Sequence, residues 1–215
     1  MLIDLSHTVE HGLITYKGLP APIICDYLSR EASRQRYAPG TEFHIGKIEM
    51  VANTGTYLDS PFHRYADGVD LAGLRLEQLA CLPAMKVSAR DRQSIDASHF
   101  SALSDIAAKA ILVETGWSRH WKTDQYYEGH PYLTEDAAQF LADAGVALVG
   151  IDSHNIDSTL DGTRPVHSIL LRQNILIVEH MTALDRVPAA GFRFSALPVK
   201  VKGFGTFPVR AFAEI

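Results

Sequence analysis

Residues 110–151 decide the fold class: Ala110-Ile-Leu-Val-Glu114, then Thr134-Glu-Asp-Ala-Ala-Gln-Phe-Leu-Ala-Asp-Ala144, then Val146-Ala-Leu-Val-Gly-Ile151 running into Asp152. The first and third stretches are unbroken apolar runs of strand length, the mark of strands covered on both faces. The stretch between them starts on a capping residue, puts Glu135 and Asp136 in its first turn, where the helix dipole favours acids, and stops at Gly145. Strand, helix, strand with polar residues at the strand exits is the α/β arrangement in which sites collect beyond the strand ends.

Toward the N-terminus, Leu2-Ile-Asp-Leu-Ser6 reads as an opening strand, followed by a loop through Gly12, Gly18 and Pro20. Residues 26–41 are charged and helix-tolerant until Pro39-Gly40. The stretch 44–52 alternates imperfectly through Ile45, Ile48, Met50 and Val51, as a strand that delivers Asn53 to Asp59 at its end. Asp67-Gly68 marks a turn, Leu71, Leu74, Leu76 and Leu79 have helical spacing, and Met85-Lys-Val-Ser returns to strand. Toward the C-terminus, 168–172 reads as a short helix, Ile175-Leu-Ile-Val178 as a strand ending on Glu179, and 192–215 as two further strands around Gly203-Phe-Gly205. With no internal repeat and no Pro- or Ser-rich linker, the expectation is one mixed α/β domain over residues 1–215.

Bulk properties narrow the function classes. A chain of 215 residues can bury a substantial core, and 47% hydrophobic with 21% charged residues is ordinary for a folded protein. Net charge −5, without a basic run, leaves no footprint for a nucleic acid backbone. The first residues lack a signal-peptide pattern, and no apolar run reaches the ~20 residues of a membrane span. Cys25 and Cys81 fit neither a disulfide framework nor a thiolate metal site. A cytoplasmic protein is the expectation.

Chemistry concentrates in Asn53-Thr-Gly-Thr-Tyr57-Leu-Asp59-Ser-Pro61-Phe-His63, which packs turn formers, a carboxylate and an imidazole together. Most of the ten histidines read as isolated surface or turn positions: His7, His11, His99, His120, His130 and His180. Three have company: His63 lies four residues past Asp59, His154 follows Asp152, and His167 lies twelve before Glu179. Asp59 and Glu179 end apolar strands, where a charge is costly without compensation, and a divalent metal is one compensator. The alternative is structural: Asp59 caps a turn through Ser60 and Pro61, and Glu179 pairs with Arg164 or Arg172. Trp117, Trp121, Tyr126 and Tyr127 read as packing residues or as the walls of an aromatic pocket.

Residues 53–63 resemble the signature of the cyclase-type metal-dependent hydrolase family that includes bacterial kynurenine formamidase and isatin hydrolase, His-x-Gly-Thr-His-x-Asp-x-Pro-x-His. Five of its seven fixed positions are kept: Gly55, Thr56, Asp59, Pro61 and His63. The resemblance extends through Tyr16-x-Gly18, Glu114-Thr-Gly-Trp117, His130-Pro131-Tyr-Leu-Thr134, Val149-Gly-Ile-Asp152 with Asp157, and His167-x-x-Leu170-Leu171 with Ile175 and Glu179. It implies a mixed α/β domain of the swivelling β/β/α type, a homodimer or larger homo-oligomer, and hydrolysis of a small amide, formamide, lactam or lactone, with a place in tryptophan catabolism. It also implies Asp59, His167 and Glu179 as metal ligands, His63 as general acid and base, and Tyr16 as an aromatic substrate contact.

Asn53 and Tyr57 stand where that family has histidines of its first metal. An amide oxygen is a weak ligand and a neutral phenol, with a pKa near ~10, binds a divalent ion poorly. The expectation is therefore one divalent ion, Zn, Mn or Mg, on Asp59, His167 and Glu179, with water in open positions. Tyr57 then becomes a hydrogen-bond donor, to Asp59 or to a substrate carbonyl. His44 and Glu49 are the neighbouring side chains available as substitute ligands. Two classes of function stay open at this point: an arylformamidase-like hydrolase, or a catalytically impaired relative that binds small molecules or partners.

Overall fold

In a computed structural model of residues 1–215, the two apolar runs of 110–151 lie side by side in the middle of a sheet. The strands in chain order are β1 (Leu2–Asp4), β2 (Ile23–Leu28), β3 (Ile45–Glu49), β4 (Tyr57–Asp59), β5 (Leu82–Ser88), β6 (Ser94–Ile95), β7 (Ala110–Glu114), β8 (Tyr132–Leu133), β9 (Leu148–Ile151), β10 (Leu176–Glu179), β11 (Ala190–Ser195), β12 (Thr206–Pro208) and β13 (Phe212–Glu214). The α-helices are α1 (Arg30–Ser33), α2 (Glu135–Asp143) and α3 (Pro165–Arg172). Nine strands form one sheet in the order β1-β13-β11-β5-β7-β9-β10-β4-β12. Its centre, β5-β7-β9-β10, is parallel, and the flanks on both sides are antiparallel.

The period-two geometry of strands splits each apolar run between two cores. Ala110 and Leu112 join Leu148, Leu176, Val178 and Phe194 on one face, while Ile111 and Val113 join Val149, Ile151 and Ile177 on the other. Helices α2 and α3 cover the second face through Ala137, Leu141, Leu170 and Leu171. Each Leu, Ile, Val or Phe side chain among these contributes about 1.5–3 kcal/mol on burial, so this double-sided centre is the part of the fold with most to lose. Thr134 stands at the N-cap of α2, but its hydroxyl bonds the Ile95 carbonyl (3.2 Å) and Asp136 (2.5 Å) rather than the helix amides.

Four expectations need correction. Residues 26–41 do not form a long helix: β2 occupies the start, and only the single turn α1 follows, with Ser29 Oγ accepting from Ala32 N (3.1 Å). The segment has charge but no apolar stripe, and α1 buries only Ser33. The Leu71–Leu79 spacing gives a single 3₁₀ turn, Leu76–Gln78. Asp70 explains this by accepting from Gly73 N (2.9 Å) and Gly203 N (2.7 Å), which fixes a turn; Leu71 and Leu79 anchor in the core while Leu76 faces solvent.

Strand β3 does not feed residues 53–59 as an element of the main sheet. It pairs only with β2, in a separate antiparallel ribbon whose every β3 residue is exposed. The site loop instead contains its own strand, β4, inserted between β10 and β12. The C-terminal segment holds three strands rather than two, and β13 pairs with β1, so the ends of the chain meet in the sheet. No helix is long and apolar enough to cross a membrane.

Candidate active site

Strand register assembles the site. Tyr57 lies opposite Glu179 across the β4–β10 ladder, and Asp59 lies opposite Thr206 across β4–β12. Residues two apart on a strand, and residues directly opposite, share a face, so all four side chains emerge on one side of the sheet. Helix α3 brings His167 onto that side, and the 3₁₀ turn Pro61–His63 brings His63. Gly205 permits this approach: a Cβ there would lie 2.3 Å from His63 N and 2.4 Å from its Cα, and only glycine lets β12 pass.

Asp59 is fully buried, with Oδ1 accepting from the Thr206 hydroxyl and Oδ2 without any partner. The His167 Nε2 lies 3.8 Å from Asp59 Oδ2 and 3.8 Å from Glu179 Oε1, too long for hydrogen bonds. Its Nδ1 lies 2.6 Å from Asp157 Oδ2, and Asp157 also accepts from Val166 N (2.7 Å) and His167 N (3.0 Å). Asp157 thus caps α3 and fixes the imidazole in one stroke, leaving Nε2 aimed between two carboxylates. Burial alone would lower the His167 pKa, but Glu179, Asp157 and Asp59 outweigh it and push it up to about 10. Burial and the Asp59 charge raise the Glu179 carboxyl against the pull of His167.

Three buried carboxylates around one imidazole leave a demand for positive charge that no Lys or Arg meets. The orphaned Asp59 Oδ2, the outward Nε2 and the carboxylate behind the imidazole fit a divalent cation. Donor atoms of Asp59, His63 and His167 all lie within 4.8 Å of one another, so His63 stands close enough to join such a set. Its Nδ1 is 2.8 Å from Thr206 Oγ1. Because that hydroxyl spends its hydrogen on Asp59, it accepts from His63, which puts the imidazole proton on Nδ1 and leaves the Nε2 lone pair unclaimed. Thr206 carries no motif that the sequence would reveal; only its register opposite Asp59 makes it part of the site.

The other side of Glu179 is neutral. Tyr57 donates to Oε2 (2.6 Å), Ile156 N donates to Oε1 (2.6 Å), and the Tyr16 hydroxyl lies 2.8 Å from that of Tyr57. Tyr16 also receives Asn155 Nδ2 (3.0 Å) and lies 3.2 Å from His180 Nε2, whose Nδ1 is 2.9 Å from Tyr126 OH. Burial first, and then the Glu179 charge, raise the pKa of both Tyr16 and Tyr57 well above normal, so the phenols stay protonated. The Tyr57 hydroxyl therefore donates to Glu179, not to Asp59.

A cavity of about 290 Å³ opens onto His63, His167, Glu179, Tyr16, Tyr57 and Asn53, with Asp59 sealed behind them. The Asn53 amide makes no hydrogen bond within the chain. The structural alternatives for the acids do not hold: Asp59 lies within β4, Arg172 pairs with Asp67 (3.3 Å), and no arginine pairs with Glu179. His44 bonds Asp26 (2.8 Å) on the exposed ribbon that also carries Glu49, and neither lines the cavity.

His180 and His130 are buried rather than superficial, His154 is buried as well, and His7 stacks on Trp121 at 4.0 Å. The one signal in the sequence for His180 is its place directly after Glu179, at the end of an apolar run; its left-handed backbone (φ 54°) is visible only in the structure. Trp121 and Tyr126 pack around His180 instead of lining the cavity. A second cavity, of about 320 Å³, adjoins Glu114 and Asp152 at neighbouring strand exits. Both acids are satisfied there, Glu114 by Lys86 (2.8 Å) and Arg90, and Asp152 by Thr115 N (2.6 Å), Thr115 Oγ1 (2.6 Å) and Gly116 N (2.8 Å).

The family model Cyclase matches residues 3–158. Two relatives named kynurenine formamidase, from Bacillus cereus and Bacillus mycoides, are each 29% identical over 209 residues, covering 97% of this chain and 95% of their own. Among solved structures, isatin hydrolase A from Labrenzia aggregata superposes with a TM-score of 0.83 at 18% identity, over 99% of this chain and 93% of that one. At that identity the likeness is one of fold.

Proposed function

The chain belongs to the Cyclase family, and from that premise we propose that it hydrolyses a small amide, in the manner of an arylformamidase, with one divalent ion held by Asp59, His167 and Glu179. The observation that carries this reading is the buried Asp59 Oδ2 with no partner, faced by an imidazole locked from behind by Asp157. The relatives named kynurenine formamidase support a formamide as substrate class, with lactams and lactones as related acyl compounds. When bound, the ion supplies Lewis acidity toward a carbonyl oxygen and water.

The protein's own groups supply the proton path. Water adds at the acyl carbon while His63 Nε2 takes its proton; the C–N bond then breaks as that proton passes to the leaving nitrogen, releasing carboxylic acid and amine. Thr206 keeps His63 in the tautomer that can begin this cycle. Tyr57 and Ile156 N each donate to one Glu179 oxygen, so the carboxylate is held in place by two hydrogen bonds with its remaining lone pairs available to an ion. Tyr16, Asn53 and Tyr57 line the space for substrate.

Hydrolysis of N-formylkynurenine and formanilide with added Mn or Zn, beside His63→Ala, tests the reaction. Turnover that needs metal and His63 is the expected result; ligand binding with no turnover would favour the impaired, ligand-binding relative. Metal analysis of protein purified without chelator is expected to give one ion per chain, and two would overturn the single-ion site. A second copy of the chain as partner is supported by the β2–β3 ribbon, where Ile23, Ile24, Tyr27, Ile45 and Ile48 are exposed although a lone two-stranded ribbon is marginal in water.

A further inference from the structure

Arg164 is a half-buried cation on the wall of the site cavity, and no carboxylate lies within ion-pairing distance of it. Its Nη1 is held by two backbone carbonyls, Ser158 O (2.7 Å) and Asp161 O, while the Asp161 carboxylate is turned to Thr163. The two hydrogens of Nη1 are thereby used. Nε and Nη2 remain, and that edge of a guanidinium is a two-donor fork matched to a carboxylate.

The backbone shows that this placement is held against a local preference. Arg164 has φ 50° and ψ 56°, a left-handed conformation uncommon for a non-glycine residue, directly before Pro165. Such conformations persist where the surroundings enforce them, and they gather at ligand sites. Here the enforcing contacts are the two carbonyls on Nη1 and the start of α3 at Pro165. The other charged residues of the cavity wall, His167 and Glu179, face each other and Asp59 around the place assigned to the ion, so Arg164 is the one unanswered charge. Leu19 and the unbonded amide of Asn53 complete that wall with an apolar and a neutral polar contact.

We propose that Arg164 is a specificity-determining residue that binds a carboxylate on the substrate, so that the preferred substrate is an anionic acyl-amide. The proposal rests on the hydrolase reading for the word substrate, but the recognition it describes is measurable without turnover. The probes are 2-formamidobenzoate and its neutral counterpart 2-formamidobenzamide, titrated calorimetrically into the wild type, Arg164→Gln and Arg164→Lys, each with Mn present and with the metal omitted.

The expected result is at least tenfold tighter binding of the benzoate by the wild type, with or without Mn. Arg164→Gln is expected to lose that preference while its affinity for the benzamide is unchanged, and Arg164→Lys to keep only part of it, since an ammonium lacks the planar fork. Equal affinities in the wild type would overturn the proposal. So would a preference that survives in Arg164→Gln or that requires Mn, either of which assigns the carboxylate to the ion. If Arg164→Gln does not fold, the comparison of Arg164→Lys with wild type decides by the same criterion. Tight, Arg164-dependent binding without hydrolysis overturns the hydrolase reading and leaves this one standing.

Discussion

On the Asp59 side of the cavity a fully buried carboxylate oxygen has no partner, whereas on the Tyr57 side Tyr57, Tyr16 and both ring nitrogens of His180 are all bonded within the chain. The two sides share one strand, β4, and meet at one residue, Glu179. Both bury polar groups, but only one leaves an electrostatic demand. An unsatisfied buried acceptor persists in a folded protein when a ligand answers it, and a saturated network persists because it holds something still. The comparison separates a side built to receive charge from a side built to orient Glu179.

Breaking the receiving side should have the largest effects. His63→Ala is expected to lower turnover about 10²–10⁴-fold, the usual worth of a general acid and base. His167→Ala leaves Asp59, Asp157 and Glu179 buried without their cation, and about 3–5 kcal/mol of stability is expected to go with metal binding, read by urea unfolding and metal titration. If His167→Ala still binds one ion with unchanged affinity, the charge demand has been misassigned.

On the orienting side, Tyr57→Phe removes a donor from a buried carboxylate and is expected to cost about 1–3 kcal/mol in unfolding while the protein still binds an ion. Loss of binding as complete as in His167→Ala would erase the distinction between the two sides. The imidazoles near the network add a pH test. Burial, with Lys122, lowers His7 to about 4, and burial, with His130 and Arg164, lowers His154 to about 3. Below pH 6.5 the unfolded chain takes up protons that these two rings refuse when folded, so their contribution to stability is complete above pH 6.5 and is lost as pH drops toward 4 and then 3. The unfolding midpoint should decline across that window; a flat profile would mean that neither ring stays neutral. The smallest effect is expected away from the site: Tyr27→Ser on the exposed ribbon should change unfolding free energy by less than about 0.5 kcal/mol. Chromatography with light scattering would show whether it alters assembly.

Much of the centre was legible because its signals are local. Strand β7 coincides with the apolar run Ala110–Glu114, α2 follows its capping position, and Glu179 ends β10 as its run of apolar neighbours implied. The peripheral elements were less legible. Charge without an apolar stripe made 26–41 look helical when a partner strand and one capped turn took it instead. Leucine spacing at 71–79 lost to the turn fixed by Asp70.

The sequence alone singled out 59, 63, 167 and 179 as candidates: carboxylates at the ends of apolar strands left a metal and a structural pairing both open, and it was the resemblance to the cyclase-type family that implied a ligand set and a role for His63. The tertiary structure decided what each of them faces. Cross-strand register put Thr206 under His63 and Tyr57 against Glu179, and packing of α3 aimed His167 at an empty-handed Asp59 oxygen. These partners lie between 108 and 143 residues apart in the chain, and no local periodicity encodes which side chain will stand opposite another once the sheet has closed.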